Sequence, residues 1–508
     1  MNRLSVFLFG ITVQTTFAQT NSLPFFIQDS LDIYVTRALD AWQIPGVAVC
    51  VVKDGKVDVM KSYGVKEMGG NDRVDEHTLF MIGSNTKAFT STALAMLDAE
   101  EKLSLDDKVR TWLPDFVLYD PWVTEETNIR DLLCHRLGFE TFQGDFMFYD
   151  SDLSAEEVRQ KLAMVKPLYG FRSKWGYTNA AFVVAGDIIP VADGRTWAEF
   201  ITQRIFTPLE MHRSRAISAD LSVAKNKAGA HTLVHGELQQ IPYGNIDGLA
   251  PAGSISSSIH DLSHWVMALL DEGKYKGKEV IPASAIAETR LPHSIRGNGW
   301  HPFTKTHFDL YGLGWSLTEY GGSLMVSHTG GVNGFVTSVC LIPEEELGII
   351  VLTNTDMNAL YHALRNEIQD AYLGFPYRNY SKVYLDMHHA NETHSEQILQ
   401  ALSDTIGMHL PTDFPLQEYT GTYAHEVYGS MTIALENNNL VARFEHHHDL
   451  SATLEGLGGS RFLATFDDPV YGIKVWPFTV AGGLIKSVTV RVADFVEFLP
   501  YEFVKRKG

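Results

Sequence analysis

Residues 78–97 read TLFMIGSNTKAFTSTALAML, and they carry the strongest chemical signal in this chain. The apolar run ends at Gly83, and the spacing of apolar residues from Ala88 onward predicts a buried helix. Ser84 therefore lies at or near a helix N-terminus, where free N–H groups and the helix dipole favour a developing negative charge. Lys87 follows three residues later on the same helix face, so its amine can reach the Ser84 hydroxyl. The pattern indicates a nucleophile beside an amine, although a helix-capping serine followed by a solvated lysine would look the same.

A second candidate pair, Tyr177 and Asn179, lies where a predicted loop enters a small, apolar helical run. Two residues at this spacing can both face one cleft. A tyrosine has a pKa of about 10, and a neighbouring ammonium would lower it by favouring the phenolate. We therefore expect Tyr177 to act as a general base for Ser84, with Asn179 orienting Lys87 and a substrate carbonyl. A buried tyrosine and a helix-capping asparagine are the structural alternative.

The third element is HTGG at residues 328–331, on a strand predicted from the apolar residues before it. Glycines beside a strand edge let a ligand approach backbone N–H groups closely. The amides of Ser84 and Gly331 could then form an oxyanion hole, which is usually a large contribution to acyl-transfer catalysis. A glycine-rich hairpin that happens to contain His328 is the alternative.

The order and spacing of these elements resemble the serine β-lactamase and penicillin-binding protein superfamily, and specifically its class C-like branch. Three motifs carry the resemblance: S-x-x-K at 84–87, Y-x-N at 177–179 and H-T-G at 328–330. LLCHRLG at 132–138 and PAGSI at 251–255 also match segments of that family. The resemblance implies an α+β fold, in which a β-lactamase/transpeptidase-like α/β sandwich and a helical domain enclose the active site between them.

The same resemblance implies a serine hydrolase that forms an acyl-enzyme through Ser84. Lys87 and Tyr177 would share the proton transfers, and Asn179 with His328 would orient the substrate and the leaving group. The backbone amides of Ser84 and Gly331 would hold the oxyanion, and no cofactor is implied. Amide substrates such as D-amino-acid peptides or cell-wall fragments are the expected class. Carboxylesterase or β-lactamase activity on the same scaffold is the first alternative, and a non-catalytic binding protein that acts through its C-terminal region is the second.

One departure from the family pattern bears on the substrate. β-Lactamases and carboxypeptidases of this type carry lysine where this chain has His328, and that lysine is a permanent cation for a substrate carboxylate. A neutral imidazole holds such an anion poorly at pH 7. The histidine therefore disfavours β-lactamase and carboxypeptidase activity, whereas aminopeptidase-like and esterase relatives more often carry histidine there.

Four further residues are candidates for substrate binding. Thr329 and Gly330 belong to the third motif, while Phe146 and Tyr149 lie in FQGDFMFY at 142–149, a predicted loop rich in aromatic residues. Because loops normally expose polar residues, we expect this loop to wall the substrate pocket. A buried aromatic cluster is equally compatible with the sequence.

The chain divides into four parts. Residues 1–18 are expected to be a cleavable signal peptide, because a basic residue precedes a short apolar run and Ala18 ends a small-residue cleavage site. Residues 25–375 contain every catalytic motif, and residues 376–415 form a polar connector. Residues 416–508 alternate as short, half-buried strands, and they resemble the small lipocalin-like β-barrel that many members of this family carry.

Composition narrows the possible partners. The chain has 508 residues and a formal net charge of −20, which argues against nucleic-acid binding because that function needs a basic face. No stretch after the signal peptide is long and apolar enough to span a bilayer. We therefore expect an exported, periplasmic or secreted enzyme that acts on a small molecule or peptide and can form a homo-oligomer.

A metal site is suggested by HHHD at residues 446–449. Adjacent residues of a strand point to opposite faces, so at most His446 and His448 could share one ligand set. Zinc needs three or four ligands at fixed geometry, and the sequence offers no second cluster with suitable spacing. We expect no metal.

Overall fold

The computed structural model of the protein describes residues 23–506, so the predicted signal peptide lies outside the described residues. An eight-stranded sheet with helices on both faces is followed by a closed eight-stranded barrel. The predicted combination of a β-lactamase-like α/β fold with a C-terminal barrel is confirmed.

All neighbouring strands of the sheet are antiparallel, in the order β2-β1-β8-β7-β6-β5-β4-β3. The strands are β1 (Gly46–Lys53), β2 (Lys56–Gly64), β3 (Ser294–Gly297), β4 (Asp309–Tyr311), β5 (Ser316–Tyr320), β6 (Ser323–Val332), β7 (Phe335–Ile342) and β8 (Leu347–Thr353). The N-terminal strand β1 thus pairs with β8, the last strand of the sheet along the chain, so the two ends of this region close on each other.

The longer helices are α1 (Leu31–Trp42), α2 (Thr86–Ala99), α3 (Asn179–Asp193), α4 (Ile259–Leu270), α5 (Leu360–Tyr372) and α6 (Tyr380–Gly407). Alternate residues of β1 show on which face of the sheet these helices pack. Val47, Val49 and Val51 join the core under α1 and α5, while Ala48 and Cys50 face the core that contains α4. A strand buried on both faces reads as a continuous apolar run, as β1 does.

The region between β2 and β3 is mainly helical, as predicted. Its shorter helices are Val109–Trp112, Pro121–Glu126, Ile129–Leu133, Asp145–Phe148, Ala155–Leu162, Trp197–Phe200, Ala219–Ser222, Ala250–Gly253 and Ala283–Thr289. It is not all-helical, because three two-stranded pairs also occur, at 80–81 with 256–257, 230–234 with 237–241, and 274–275 with 278–279. The strands of the second pair are joined by a two-residue turn at His235 and Gly236, both with positive φ, which is the turn that hairpins favour.

The C-terminal barrel is built from eight antiparallel strands and closes because its first and last strands pair, with Tyr423 opposite Lys505. The strands are β9 (Gly421–His425), β10 (Gly429–Glu436), β11 (Asn439–Phe444), β12 (His447–Gly456), β13 (Arg461–Phe466), β14 (Ile473–Ala481), β15 (Leu484–Val490) and β16 (Tyr501–Lys505). Buried residues alternate along them, as with Met431 and Ile433 on β10. Closure leaves no unpaired sheet edge.

The polar segment between the two parts is the 28-residue helix α6. Only Tyr380 and Ser381 of this fully described helix are buried, and the Trp42 Nε1–H donates to the Ser381 hydroxyl at 3.0 Å. Tyr384 and Leu385 pack, partly buried, against the core under α1 and α5, and most of the later residues of the helix are exposed. Within residues 23–506, no helix combines the length and the apolarity that crossing a bilayer requires.

Candidate active site

Ser84 lies in a 3₁₀ turn, Gly83–Asn85, that leads directly into α2. The turn is held against the sheet by Asn85, whose side-chain Nδ2 donates to the Ile82 carbonyl at 3.1 Å and to the Thr337 hydroxyl at 2.9 Å. Thr337 in turn donates to the Ile82 carbonyl at 3.0 Å. Ser84 remains partly exposed while its neighbours are buried. The predicted position at a helix N-terminus follows from this turn.

Lys87 is completely buried, and its Nζ has three hydrogen-bond partners. These are the Ser84 Oγ at 3.1 Å, the Asn179 Oδ1 at 2.6 Å and the Ala252 carbonyl at 2.8 Å. Burial lowers the lysine pKa to about 7, because desolvation penalises the ammonium. In the neutral amine, two N–H bonds are taken by carbonyl oxygens that can only accept. The nitrogen lone pair therefore faces the Ser84 hydroxyl, which is the arrangement a general base needs.

Asp145 joins this network, and the sequence analysis did not identify it. Its carboxyl Oδ2 accepts a hydrogen bond from the Asn179 Nδ2, which turns the Asn179 Oδ1 toward Lys87. Burial raises the Asp145 pKa to about 7, although the Asn179 hydrogen bond and the Lys87 charge act in the opposite direction. A carboxyl between Gly144 and Phe146 in a predicted loop gave no local sign of this role.

Tyr177 lies beside both Ser84 and Lys87. The Lys87 Nζ is 4.6 Å from the centre of its ring, and the Ser84 hydroxyl is close enough to the phenol to lower its pKa. The expected lowering of the phenol pKa is nevertheless wrong, because burial raises the Tyr177 pKa well above its usual value and outweighs the effect of Ser84. Tyr177 is therefore a neutral phenol at pH 7, and the neutral amine of Lys87 is the group that can accept the Ser84 proton.

His135 holds the backbone around Tyr177 from both sides, and it is a second residue whose role the sequence did not reveal. The Gly176 N–H donates to the His135 carbonyl at 3.0 Å, and the Thr178 N–H donates to its Nδ1 at 3.1 Å. The imidazole also packs on the Tyr177 ring, with centroids 4.4 Å apart. Burial keeps the His135 pKa far below its usual value, so the ring is neutral.

His328 is buried on β6 beside Tyr177, with ring centroids 6.2 Å apart. Its Nδ1 lies 2.6 Å from the Thr329 carbonyl and its Nε2 lies 2.9 Å from the Tyr311 hydroxyl. A carbonyl can only accept, so Nδ1 carries the proton and Nε2 accepts from Tyr311. Burial lowers the His328 pKa to about 3. The ring is thus neutral, and both of its nitrogens are already in use.

The glycines of the third motif bring β6 into contact with the turn before Ser84. A Cβ at Gly330 would lie 1.8 Å from the Ile82 carbonyl oxygen, and a Cβ at Gly83 would lie 2.9 Å from the Gly331 nitrogen. Side chains at these positions would force the two segments apart. The Gly331 amide therefore lies beside the Ser84 turn, and Thr329 is partly exposed two residues before it.

The aromatic segment 142–149 is divided between the groove and the barrel. Phe142 packs on the Tyr177 ring at 5.6 Å, and the Tyr149 hydroxyl accepts from the Asn333 N–H at 3.1 Å. Phe146, in contrast, is 1% exposed and stacks on the barrel residues His447 and Tyr501, at 4.8 and 5.6 Å. Its ring does not line the groove, contrary to our expectation, because the end of the barrel covers it.

The barrel loop between β15 and β16 reaches the rim of the same groove. Phe495 and Phe498 of this loop are 42% and 39% exposed. Phe495 lies beside Gly331, where a Cβ would meet its ring at 3.2 Å, and Phe498 packs on Phe142 at 5.5 Å. Apolar rings from the barrel thus lie beside Gly331 and beside Phe142, which packs on Tyr177.

The histidine cluster of the barrel makes a different contact from the one that a metal site would need. His446 and His448 both lie against one carboxyl of the catalytic region, with nitrogen–oxygen distances to Asp152 of 2.9 and 2.7 Å. His447, which points the opposite way, is buried against Phe146. Among the residues that the structure describes, no three His, Cys, Asp or Glu side chains are arranged to hold a metal ion.

This geometry agrees with the comparisons with known proteins. The chain belongs to the Beta-lactamase family, a family of serine hydrolases, whose match covers residues 31–373. Residues 409–503, which include nearly all of the barrel, match a domain of unknown function, DUF3471.

Individual relatives span most of the chain. Unguisins hydrolase ungD' of Aspergillus campestris is 29% identical in an alignment 446 positions long, which covers 82% of this chain and 79% of that protein. Protein flp of Staphylococcus aureus is 24% identical over 329 residues, 64% of this chain and 63% of its own length. The octameric penicillin-binding protein homologue from Pyrococcus abyssi shares the fold, with a TM-score of 0.60 at 19% identity, over 94% of this chain and 99% of its own.

Proposed function

We propose that the protein is a serine peptidase that cleaves amide bonds through an acyl-enzyme on Ser84. The observation that carries the proposal is the buried Lys87 amine, whose two other partners are carbonyl oxygens and whose pKa burial lowers to about 7. A lysine of this kind can be neutral at physiological pH and can activate a hydroxyl at 3.1 Å.

The reaction follows from the positions of the side chains. Neutral Lys87 takes the Ser84 proton while Oγ bonds to the scissile carbonyl carbon, and the Ser84 and Gly331 amides stabilise the oxyanion. As the C–N bond breaks, the Tyr177 phenol donates its proton to the leaving nitrogen, and the Lys87 ammonium beside it restores that proton. Water then attacks the ester by the same route, and the carboxylic acid product leaves Ser84 free.

The groove supports substrates with apolar side chains next to the scissile bond. Phe142, Phe495 and Phe498 place aromatic rings beside Tyr177 and Gly331. Both nitrogens of His328 are occupied, and no lysine stands at that position. D-amino-acid peptides or cell-wall fragments with a neutral group near the bond are the substrates we propose. The fungal relatives named unguisins hydrolases agree with hydrolysis as the reaction.

Ser84→Ala is the direct test of the mechanism. We expect the variant to lose hydrolysis by roughly 10⁴-fold or more, because the nucleophile is gone, and to lose covalent labelling by a fluorescent fluorophosphonate. An unchanged melting temperature would show that the fold is intact. Labelling of the variant at the wild-type level would exclude Ser84 as the nucleophile, and wild-type protein without any labelling or turnover would favour the non-catalytic alternative.

A substrate panel separates the peptidase from its two catalytic alternatives. D- and L-aminoacyl p-nitroanilides with alanine, leucine or phenylalanine side chains are compared with p-nitrophenyl esters and a chromogenic cephalosporin. We expect kcat/KM to be highest for anilides with leucine or phenylalanine. Turnover limited to the esters would identify a carboxylesterase, and turnover limited to the cephalosporin would identify a β-lactamase.

We also propose that the protein is exported, on the basis of the leader-like residues 1–18, and that it forms a homo-oligomer. The structural neighbour described as octameric supports the second proposal. N-terminal sequencing of the protein from its native cells tests the first, and light scattering of the purified protein tests the second.

A further inference from the structure

Hydrogen bonds at both ends of residues 144–146 link the barrel, through the backbone of this segment, to Ser84. The series starts at Glu497, a carboxyl of the barrel loop that is 0% exposed. Its oxygens accept from the Gly144 N–H at 2.9 Å and from the Phe146 N–H at 3.2 Å. Between these two amides lies Asp145, whose carboxyl accepts from Asn179.

From Asn179 the series continues to the reacting atoms. The Asn179 Oδ1 accepts from the Lys87 Nζ at 2.6 Å, and that nitrogen lies 3.1 Å from the Ser84 Oγ. Residues 144–146 therefore contact both the catalytic network and the barrel. The Asp145 side chain is directed at the catalytic network, while the amides on either side of it and the Phe146 ring are bound by the barrel.

We propose that Glu497 is a positioning residue of the active site, which fixes Asp145 and through it the Asn179 amide and the Lys87 amine. The proposal rests on the proposed function, because it assigns the network to a base at Lys87. It makes the barrel part of the catalytic machinery rather than an appended module, since a residue 353 positions away in sequence holds the segment in place.

Other contacts between the barrel and the catalytic region give a matched comparison. The His446 Nδ1 and an Asp152 carboxyl oxygen lie 2.9 Å apart, in a contact outside the series that leads to Lys87. His446→Ala removes a docking contact without touching residues 144–146. If the barrel matters only as a support, this variant and the Glu497 variants should behave alike.

The effect of Glu497 has a specific electrostatic signature. The titratable groups that face Asp145 are Lys87 and Tyr177 from the catalytic side and Glu497 and Tyr428 from the barrel. The Asp145 charge raises the Lys87 pKa. When Asp145 is displaced or neutralised, the Lys87 pKa should fall, and the acid limb of the pH–rate profile should move to lower pH.

The experiment compares Glu497→Ala, Glu497→Gln, Asp145→Asn and His446→Ala in the full chain, with p-nitrophenyl acetate as the substrate. We expect Glu497→Ala to lower the acylation rate by on the order of 10-fold to 100-fold, the cost of a small misplacement of a catalytic group. The acid limb of its pH–rate profile should move to lower pH, as in Asp145→Asn. Glu497→Gln should lie in between, because one amide oxygen can still accept from one of the two backbone N–H groups, and His446→Ala should match the wild type.

Two results would overturn the proposal. One is a wild-type rate and pH profile in Glu497→Ala. The other is a slower Glu497→Ala enzyme with an unmoved acid limb and a lower melting temperature, which would make Glu497 a structural support only. If Glu497→Ala does not fold, the nearly isosteric Glu497→Gln decides between these outcomes. Hydrolysis that survives in Ser84→Ala and Lys87→Ala would instead refute the proposed function itself.

Discussion

Lys87 shows how burial alone can create a base from a residue that is normally charged. Its pKa is lowered to about 7 because its ammonium has lost its water. The free enzyme needs the neutral amine, so we expect kcat/KM to be constant above about pH 7 and to fall by about tenfold per pH unit below it. The profile of a neutral ester between pH 5 and 9 measures this. A flat profile across that range would mean that Lys87 is not the base.

His328 illustrates how a buried residue can be specified by its hydrogen bonds rather than by its charge. A lysine at this position could donate to the Thr329 carbonyl but could not accept from Tyr311, and it would add a second buried amine near Lys87. We expect His328→Lys to lower kcat/KM on neutral amides and esters by roughly 10-fold to 100-fold, the loss of about 1–3 kcal/mol for a broken buried hydrogen bond. The substitution should not raise kcat/KM for substrates that carry a carboxylate.

The control for this change is His328→Gln, whose side-chain amide can donate to Thr329 and accept from Tyr311 as the imidazole does. It should retain more activity than His328→Lys. The measurement is kcat/KM on paired substrates that differ only in a carboxylate. A gain in β-lactam turnover by the lysine variant, with amide hydrolysis preserved, would show that position 328 serves to bind an anion.

At the scale of elements, the approach of β6 to the Ser84 turn depends on the absence of a side chain. A Cβ at Gly330 would lie 1.8 Å from the Ile82 carbonyl oxygen, so Gly330→Ala must push the strand away and move the Gly331 amide. We expect kcat to fall by about 100-fold, because a displacement of about 1 Å can have that effect. Gly407→Ala is the control, since nothing lies within 4 Å of its Cβ position. Equal activity of the two variants would contradict a role for this contact.

Most of these elements could be predicted from local patterns. The sheet strands alternate or run continuously apolar. Ser84 and Lys87 are one helical turn apart, and Tyr177 and Asn179 are two residues apart where a loop enters a helix. Segment 142–149 could not be predicted, because its environment is supplied by the barrel, far along the chain. The same reason explains why Asp145 was missed and why Phe146 was assigned to the groove. The Tyr177 pKa was predicted in the wrong direction because the sequence does not show how strongly burial outweighs a nearby amine.

At the scale of the whole molecule, the barrel and the catalytic region share an interior. Phe146 is enclosed by barrel aromatics, and the Glu497 carboxyl is enclosed by segment 144–146. Every catalytic motif precedes residue 355, so their order along the chain suggests that the barrel can be removed. The contacts indicate otherwise. Burying a phenylalanine side chain contributes about 1.5–3 kcal/mol to the free energy of folding, and removing the barrel would expose Phe146 and lose that contribution.

We expect deletion of residues 416–508 to reduce activity on small esters as well as on large peptides, by at least about tenfold, because Asp145 loses its support. It should also lower the melting temperature. Activity of the truncated enzyme on p-nitrophenyl acetate and on a leucyl anilide, relative to the full chain, provides the measurement. Since an exposed Phe146 can cause aggregation, the truncated chain with Phe146→Ser is the control for solubility. A soluble truncated enzyme with full activity on the small ester would show that the barrel affects only the access of large substrates.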